Sequence, residues 1–355
     1  MDAFLSALFL GSGYNAALVG IGAALLGFAA GASGTFLFLR KRALVSDAVA
    51  HATLPGVGLA FILMVSLGFD GRSLIGLLAG SAMTAAIGLI LVEWMSRKTR
   101  LSEDAAIGAV LSVFFGSGSV LLTVIQTMSQ GRQAGLEGFL LGSTAGMLFQ
   151  DAVVIAIGGT LAVAATFVLR RPMTLVAFDP AYAAASGYDV RKIDLAMMGL
   201  VMAVTVIGLK LVGLILIVAM LIIPAVTARF WTEKSDTVIW SAGILGAVSG
   251  YVGAAISASA PALPTGPIIV LVSAALFTAS LFFAPARGVA TDAGRALAAK
   301  VARDERRWDV AREVHHDVSL TGRYDGLTPI EDVFTPDEIA QFDDIIGKPA
   351  AVEGG

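Results

Sequence analysis

The sequence predicts an all-α membrane protein, a bundle of about eight or nine transmembrane helices. Of its 355 residues, 57% are hydrophobic and only 14% are charged, far from the balance of an ordinary globular domain. The mean hydropathy is +0.83. Apolar stretches of about 20 residues, the length that a helix needs to cross a bilayer, recur from residue 13 to residue 285. Together these observations favour a polytopic membrane protein over any soluble class.

The composition changes abruptly after residue 286. Residues 1–286 carry 15 Lys and Arg against 13 Asp and Glu, a net charge of +2, and hold all the long apolar stretches. Residues 287–355 carry 9 against 14, a net charge of −5. We therefore expect a transmembrane domain at 1–286 and an acidic, soluble C-terminal tail at 287–355. No basic region precedes the first apolar stretch, so a cleaved signal peptide is not expected.

Nine spans are predicted in order along the chain. They cover residues 13–38, 46–66, 74–95, 104–127, 150–169, 194–209, 211–230, 238–258 and 266–285. Only Lys210 separates the sixth span from the seventh, which fits either a tight hairpin or a broken, partly re-entrant helix. The segment 137–149 is too short to span and is expected to form an outer loop or an interfacial helix.

Basic residues predict the orientation of the bundle. Arg72 and Arg132 fall on one side, and Lys210 is left over. The other 12 of the 15 basic residues follow odd-numbered spans and so share one side: Arg40, Lys41, Arg42, Arg97, Lys98, Arg100, Arg170, Arg171, Arg191, Lys192, Arg229 and Lys234. Because positive charge accumulates in cytoplasmic loops, we expect the N-terminus outside and the tail in the cytoplasm.

Glycines four residues apart recur within the spans. The pairs are Gly27 with Gly31, Gly76 with Gly80, Gly142 with Gly146, and Gly246 with Gly250. Small residues at this spacing let the backbones of two helices approach closely in a membrane. The pattern favours tight packing within one bundle over a dimerisation motif, because such spacings are frequent in any glycine-rich membrane chain.

The stretch SDAVAHATLPG at 46–56 places an acid and an imidazole inside a predicted span. Asp47 and His51 are four residues apart and so lie on one helix face. An ionised Asp at the centre of a bilayer costs about 2.5 to 3.5 kcal/mol, which partners or water must offset. The pair lies five and nine residues after Arg42, between the inner interface and the middle of the membrane. An interfacial acid beside a hydrogen-bonded histidine is the structural alternative.

Two kinds of chemistry suit this pair. Imidazole nitrogen and carboxylate oxygen together favour divalent Zn, Mn or Fe over Mg or Ca, which prefer oxygen ligands. Two ligands do not complete a metal site, but a second subunit related by two-fold symmetry would supply two more. Metal binding would weaken at low pH, because His51 must be neutral to bind an ion. The competing use of Asp47 and His51 is a proton relay.

Several long motifs, in the same order, resemble the ABC-3 family of permease subunits, which belong to bacterial ATP-driven importers of manganese, zinc and ferrous iron. They are LRKRALVSDAVAHATLPGVGLAF after the first span, LSEDAAIGAVLSVFFGSGSVLL at 101–122, AFDPAYAAASGYDV at 177–190, LKLVGLILIVAMLIIPAVTAR at 209–229 and LPTGPIIVLV at 263–272. The resemblance implies that Asp47 and His51 form a metal site in the permease pore. The chain departs from the family at Ala50, where a Ser is common.

The loop FDPAYAAASGYDVRK at 178–192 predicts a short helix between two spans. Asp179 followed by Pro180 favours a helix start, and Gly187 is placed to end it. Such a helix can be a mere connection. The resemblance implies instead that it is the coupling helix that docks on the ATPase subunit, and we assign Tyr182 and Tyr188 to this docking segment together with Asp179, Pro180 and Gly187.

The chain is not expected to be an enzyme. It contains no GxxxxGK[ST] phosphate-binding loop, so no cofactor is expected in this chain, and ATP would be bound and hydrolysed by a partner. The resemblance implies ABC ATPase subunits, an extracytoplasmic metal-binding protein, and a second permease copy or a paralogous permease. It also implies a bacterial cytoplasmic (inner) membrane location, in contact with lipid and without nucleic acid. The alternative function is a proton-coupled secondary metal transporter or channel.

Overall fold

The computed structural model describes residues 2–9, 13–69, 71, 73–128, 147–260, 263–289, 291 and 300. Its eleven named helices are α1 (Asp2–Leu8), α2 (Tyr14–Leu39), α3 (Ala43–Ser66), α4 (Leu74–Lys98), α5 (Glu103–Thr127), α6 (Phe149–Phe178), α7 (Pro180–Ala185), α8 (Val190–Val212), α9 (Leu214–Trp231), α10 (Ser235–Ala258) and α11 (Thr265–Phe283). No strand occurs among the described residues. The all-α class predicted from the sequence is confirmed.

Eight of these helices, α2–α6, α8, α10 and α11, are long and apolar enough to cross a membrane, and α9 contributes the shorter apolar stretch Leu216–Trp231. The expected number of about eight or nine spans is thus confirmed. The orientation of the bundle in the membrane stays a prediction. Contacts divide the chain after Gly288, and of the residues beyond it only 289, 291 and 300 are described, so the assignment of domain and tail also stays a prediction. The predicted loop at 137–149 and the pair Gly142 with Gly146 lie, up to residue 146, outside the described residues.

The fifth predicted span proves to be much longer than its apolar stretch. Helix α6 runs for 30 residues, and it contains Arg170 and Arg171, which the sequence placed in a loop. Beyond them, Met173 and Val176 are fully buried in an apolar cluster with residues of α2, α8 and α10. Because burial of these two side chains stabilises the helix beyond Arg171, α6 extends past the basic pair. Arg170 Nε then lies 3.4 Å from Asp236 Oδ1 at the start of α10.

The chain turns sharply between α8 and α9 at Gly213. Gly213 has φ 77°, a left-handed conformation that glycine adopts without steric cost. Lys210, where the sequence placed the break, lies within the helical backbone of α8. Gly208 contacts the side chain of Ile217 across the turn, which would be impossible in one continuous helix. The chain therefore breaks sharply three residues after Lys210, and the choice between a tight hairpin and a partly re-entrant helix stays a prediction.

Small residues pack helices of this one chain against each other. Helix α2 lies against α6, α8, α9 and α10, and α3 lies against α4, α5, α8 and α9. At the crossing of α2 and α10, Gly27 contacts the backbone of Gly246, and Gly250 contacts the backbone of Ala23. The prediction that these glycines serve packing within the bundle is confirmed for the described pairs.

Charged side chains pair at one end of the bundle, which we call the charged end. The pairs are Arg40 with Asp194, Arg42 with Glu103, Arg97 with Glu93, Arg170 with Asp236, and Arg287 with Glu233. These residues lie in or beside the ends of α2–α6 and α8–α11. The charged end holds the basic loops that the sequence assigned to the cytoplasm.

Candidate functional site

Asp47 and His51 lie in the first three turns of α3, on its one partly open surface near the charged end. Of residues 45–58, these two alone are not buried. The side chain of Asp47 is 39% exposed and that of His51 is 18% exposed. The structure therefore confirms that the two side chains share a face. Along residues 45–58, this face is the only part of the helix that is not buried.

Close helix contacts bury the rest of this stretch of α3. Gly56 contacts the backbone of Gly80 in α4, and Gly118 in α5 contacts Leu54. Residue 55 is a proline inside the helix, so it has no N–H to donate to the carbonyl of His51 one turn earlier. The pair is consequently held in a helix segment that is fixed by its neighbours and locally weakened in its own hydrogen bonding.

The polar atoms of the pair converge. His51 Nε2 lies 3.4 Å from Asp47 Oδ1. An ion about 2.1 Å from both atoms would see them at an angle of about 108°, close to the tetrahedral value that zinc prefers. Phe115 of α5 meets the His51 ring edge-on, with centroids 4.9 Å apart and an interplanar angle of 84°. Phe115 thus restricts the orientation of the imidazole, a contact that sequence reasoning did not find.

The described residues of this chain do not by themselves form a complete metal-ligand group. Within the residues that the structure describes, no group of three or more His, Cys, Asp or Glu side chains could hold a metal ion. His51 Nδ1 is buried without a hydrogen-bond partner. Ala50, where the family commonly has Ser, is fully buried and does not lie on the open face. The arrangement therefore offers one imidazole nitrogen and one carboxylate on a partly exposed face of α3.

The segment assigned to docking forms the short helix that the sequence predicted. Asp179 caps α7, with its Oδ1 accepting a hydrogen bond from the Tyr182 N–H at 2.9 Å, and Pro180 is the first helical residue. Gly187 follows the helix with φ 86°. Asp189 then caps α8 by accepting from the Lys192 N–H at 3.1 Å. Two capped helices separated by a left-handed glycine make a rigid connection.

This segment has one buried side and one exposed aromatic side. Ala183 is fully buried in the cluster that contains Met173 and Ile239. Tyr182 is 61% exposed and Tyr188 is 44% exposed. Large aromatic side chains are typical anchors of protein interfaces when they are presented on a rigid element. The segment is therefore fixed to the bundle on one side and free to contact another protein on the other.

A buried carboxylate near this segment was not foreseen from the sequence. Asp194 accepts two hydrogen bonds from Arg40, at 2.9 Å from Nε and 2.8 Å from Nη2. This bond raises the pKa of Arg40 above its ordinary value, with Coulomb attraction adding to it against the cost of burial. The only signal in the sequence was that Asp194 stands at the start of a predicted span, where an acidic side chain needs a partner.

The fold and the site define a polytopic membrane protein that presents a neighbouring aspartate and histidine from within an apolar helix long enough to cross a membrane. The chain belongs to the ABC 3 transport family, whose sequence profile matches residues 14–284.

Its relatives include membrane proteins of metal transport systems. It is 42% identical to the manganese transport system membrane protein MntC of Bacillus subtilis over 78% of this chain and 62% of that protein, so it spans less than two thirds of that relative. It is 34% identical to the zinc transport system membrane protein TroC of Treponema pallidum over 78% of this chain and 92% of that protein. Among solved structures, PsaBC from Streptococcus pneumoniae in complex with Fab is similar, with a TM-score of 0.69, 29% identity, and coverage of 81% of this chain and 98% of that one.

Proposed function

We propose that this chain is the permease subunit of an ATP-driven importer for a divalent transition metal ion, Mn²⁺, Zn²⁺ or Fe²⁺. The observation that carries the proposal is the Asp47 and His51 pair, whose side chains are the only ones in residues 45–58 of α3 that are not buried. Relatives named for manganese and zinc transport support it. The ligand chemistry agrees, since a mixed nitrogen and oxygen set suits these ions and not Mg²⁺ or Ca²⁺.

In this mechanism the transported ion meets ligands from two subunits. An extracytoplasmic binding protein delivers the ion to the outer face, and the ion passes to Asp47 and His51 of this chain and the equivalent ligands of a second copy or a paralogous permease. Four ligands would complete a tetrahedral shell. The N-terminus lies outside and the charged end lies at the cytoplasmic face, as the basic loops predict. The membrane is then the bacterial cytoplasmic membrane.

The energy of ATP hydrolysis on the partner is transmitted to this chain through residues 178–192. Tyr182 and Tyr188 are exposed on a segment that Ala183 fixes to the bundle, which suits docking on an ABC ATPase. ATP binding and hydrolysis on that partner move the segment, and the movement switches access to the metal ligands from the outside to the cytoplasm. The chain itself binds no nucleotide in this mechanism.

Uptake by reconstituted vesicles tests the proposal. The chain is assembled with its ATPase partner, and import of radioactive manganese, zinc and iron is measured with and without ATP. Asp47→Ala or His51→Ala should reduce uptake to background, because each removes half of the ligands that this chain supplies. Insertion into the membrane and assembly with the ATPase should not change.

Matched variants separate the site from general damage. Asp236→Asn removes an exposed carboxylate at the charged end, and His315→Ala removes an imidazole from the tail; both should import at the normal rate. Normal uptake by the Asp47 or His51 variants would refute the site. Uptake by this chain alone, driven by a proton gradient without ATPase, would instead establish the alternative of a proton-coupled transporter that uses the pair as a relay.

A further inference from the structure

Asp194 is the centre of an ion-pair cluster between the docking segment and the metal-site helix. Its side chain is only 4% exposed, while that of Arg40 is 19% exposed. The two parallel hydrogen bonds from one guanidinium fix both the distance and the angle between α2 and α8. A buried pair of this geometry is a rigid joint, unlike the exposed pairs at the same end.

Arg42 extends the cluster to a third and a fourth helix. Its Nε lies 2.9 Å from Glu103 Oε1 at the start of α5, and its Nη1 lies 3.9 Å from Asp194 Oδ2. The Nη1 atom is buried and makes no hydrogen bond. We call Arg40, Arg42, Glu103 and Asp194 the four-residue clamp. Glu103 begins α5 and Arg40 caps the C-terminus of α2, so the helix dipoles favour these two charges.

The clamp holds the connection from which the metal-site helix starts. Residues 40–42 are the whole link between α2 and α3. Its backbone donates hydrogen bonds from the Lys41 N–H to the Phe38 carbonyl and from the Arg42 N–H to the Leu37 carbonyl, so the link is tied to the last turn of α2. Asp47 follows Arg42 by five residues, or about 7.5 Å of helix.

The other side of the clamp belongs to the docking segment. Asp194 lies in the second turn of α8, five residues after the cap Asp189 and seven after the docking residue Gly187. No flexible linker intervenes, because α8 begins directly at Val190. A displacement of residues 178–189 must therefore carry Asp194 with it, and Asp194 must carry the link at 40–42.

We propose that the four-residue clamp transmits movement of the docking segment to the start of α3, and so to Asp47 and His51, with Asp194 as the positioning residue. This inference rests on the proposed function, because it supplies the path between the ATPase and the metal ligands. Asp194 contacts neither ion nor nucleotide in this role.

The ratio of metal imported to ATP hydrolysed tests the clamp in the complete complex. Asp194→Asn keeps the shape of the side chain and removes its charge, and the ratio should fall about tenfold, a typical coupling between two sites. ATP hydrolysis and metal binding should remain. Asp194→Glu should restore part of the ratio, and Glu233→Gln, in an exposed pair at the same end, should leave it normal. An unchanged ratio in Asp194→Asn, or a parallel loss of both activities, would overturn the proposal.

A distance measurement on an intact clamp keeps the proposal testable if Asp194→Asn does not fold. The natural chain has no cysteine, so spin labels can be attached specifically at Lys41→Cys and Arg191→Cys, both exposed positions. The distance between the labels should stay constant between nucleotide-free and ATP-bound complexes, because the clamp moves as one body. A distance that changes on ATP binding would show that the joint yields and would refute the inference.

Failure of the clamp can be told from failure of the proposed function. If the unaltered complex imports metal with ATP and His51→Ala does not, while Asp194→Asn has a normal ratio, only the clamp is wrong. If the unaltered complex imports no metal, the proposed function itself is wrong.

Discussion

The crossing of α2 and α10 and the charged end are held together by opposite means. At the crossing, backbone lies on backbone: Gly27 contacts Gly246 and Gly31 contacts Ala242. At the charged end, long side chains bridge helix ends, with Arg40 to Asp194 as the most buried example. Inside a membrane no hydrophobic effect drives helices together, so shape must do so. Outside the apolar layer, charges can be paired at lower cost.

The backbone contacts at the crossing therefore stabilise the bundle, and the side-chain contacts at the charged end allow its helices to move. A backbone contact cannot adapt, so the crossing fixes the core of the bundle as a rigid unit. Exposed ion pairs at helix ends, such as Arg287 with Glu233, can be broken and remade with small changes of position, whereas the buried pair of Arg40 with Asp194 moves as one joint. Asp47 and His51 lie between these two regions, on a helix whose start is held by the charged end and whose continuation is held by glycine contacts.

The crossing should be the most sensitive part of the molecule to a single methyl group. Gly27→Ala would place a Cβ against the backbone of Gly246, which cannot rotate away, and overpacking of this kind costs up to about 3 kcal/mol. Gly108→Ala is the matched control, because a Cβ there would meet nothing within 4 Å. It should stabilise α5 by up to about 1 kcal/mol through helix propensity. Unfolding in detergent measures both, and effects of the same sign would contradict the comparison.

At the charged end, truncating an exposed side chain should affect the partner and not the fold. Tyr182→Ala should weaken docking of the ATPase by roughly 2 kcal/mol, the usual size for an aromatic anchor, and should leave unfolding unchanged. Tyr14→Ala is the control, since Tyr14 is similarly exposed, at 67%, at the opposite end of the bundle. Titration of the detergent-solubilised chain with the ATPase measures both. Equal affinities for the two variants would remove Tyr182 from the docking surface.

Much of the fold could be predicted from the sequence because membrane helices carry local signals. The length of the apolar stretches predicted the spans. Asp179, Pro180 and Gly187 predicted the short helix α7 to within about a residue. The spacing of Asp47 and His51 placed them on one face. These features depend on neighbours within one or two helix turns, which a sequence displays directly.

The features that could not be predicted depend on residues far apart in the chain. Arg40 and Asp194 are separated by 154 positions, and no local pattern joins them. Helix α6 continues past Arg170 because Val176 is buried by other helices, whereas hydropathy marks Arg170 as an end. The turn at Gly213 was misplaced at Lys210 for a different and local reason: the charged residue was taken as the break, although glycine is the residue that adopts a positive φ without steric cost.

The link between α2 and α3 offers a smaller test at the charged end. Lys41 has φ 59°, at the position after a helix end where glycine is usual, and a left-handed conformation costs other residues about 1 kcal/mol. Lys41→Gly should therefore stabilise the chain by up to about 1 kcal/mol in detergent unfolding. Lys98→Gly, in the last turn of α4, should destabilise it by about the same amount. Loss of stability in both would mean that the Lys41 side chain contributes more than its backbone costs.

The smallest expected effect comes from the exposed charge of Asp189, which caps α8. The hydrogen bond donated by the Lys192 backbone N–H to Asp189 Oδ1 is the largest cause that holds the pKa of Asp189 below its ordinary value of 3.8. A lowered folded-state pKa stabilises the chain above the ordinary value, and this contribution is lost as the pH falls through the lowered pKa. Asp189→Asn keeps a good cap for α8 but has no charge to titrate. The variant should therefore be slightly less stable at neutral pH; the difference in unfolding temperature should begin to shrink as the pH falls past 3.8 and should disappear only below the lowered pKa. A difference independent of pH would assign the contribution to the shape of the cap and would place even this end of the bundle under geometric rather than electrostatic control.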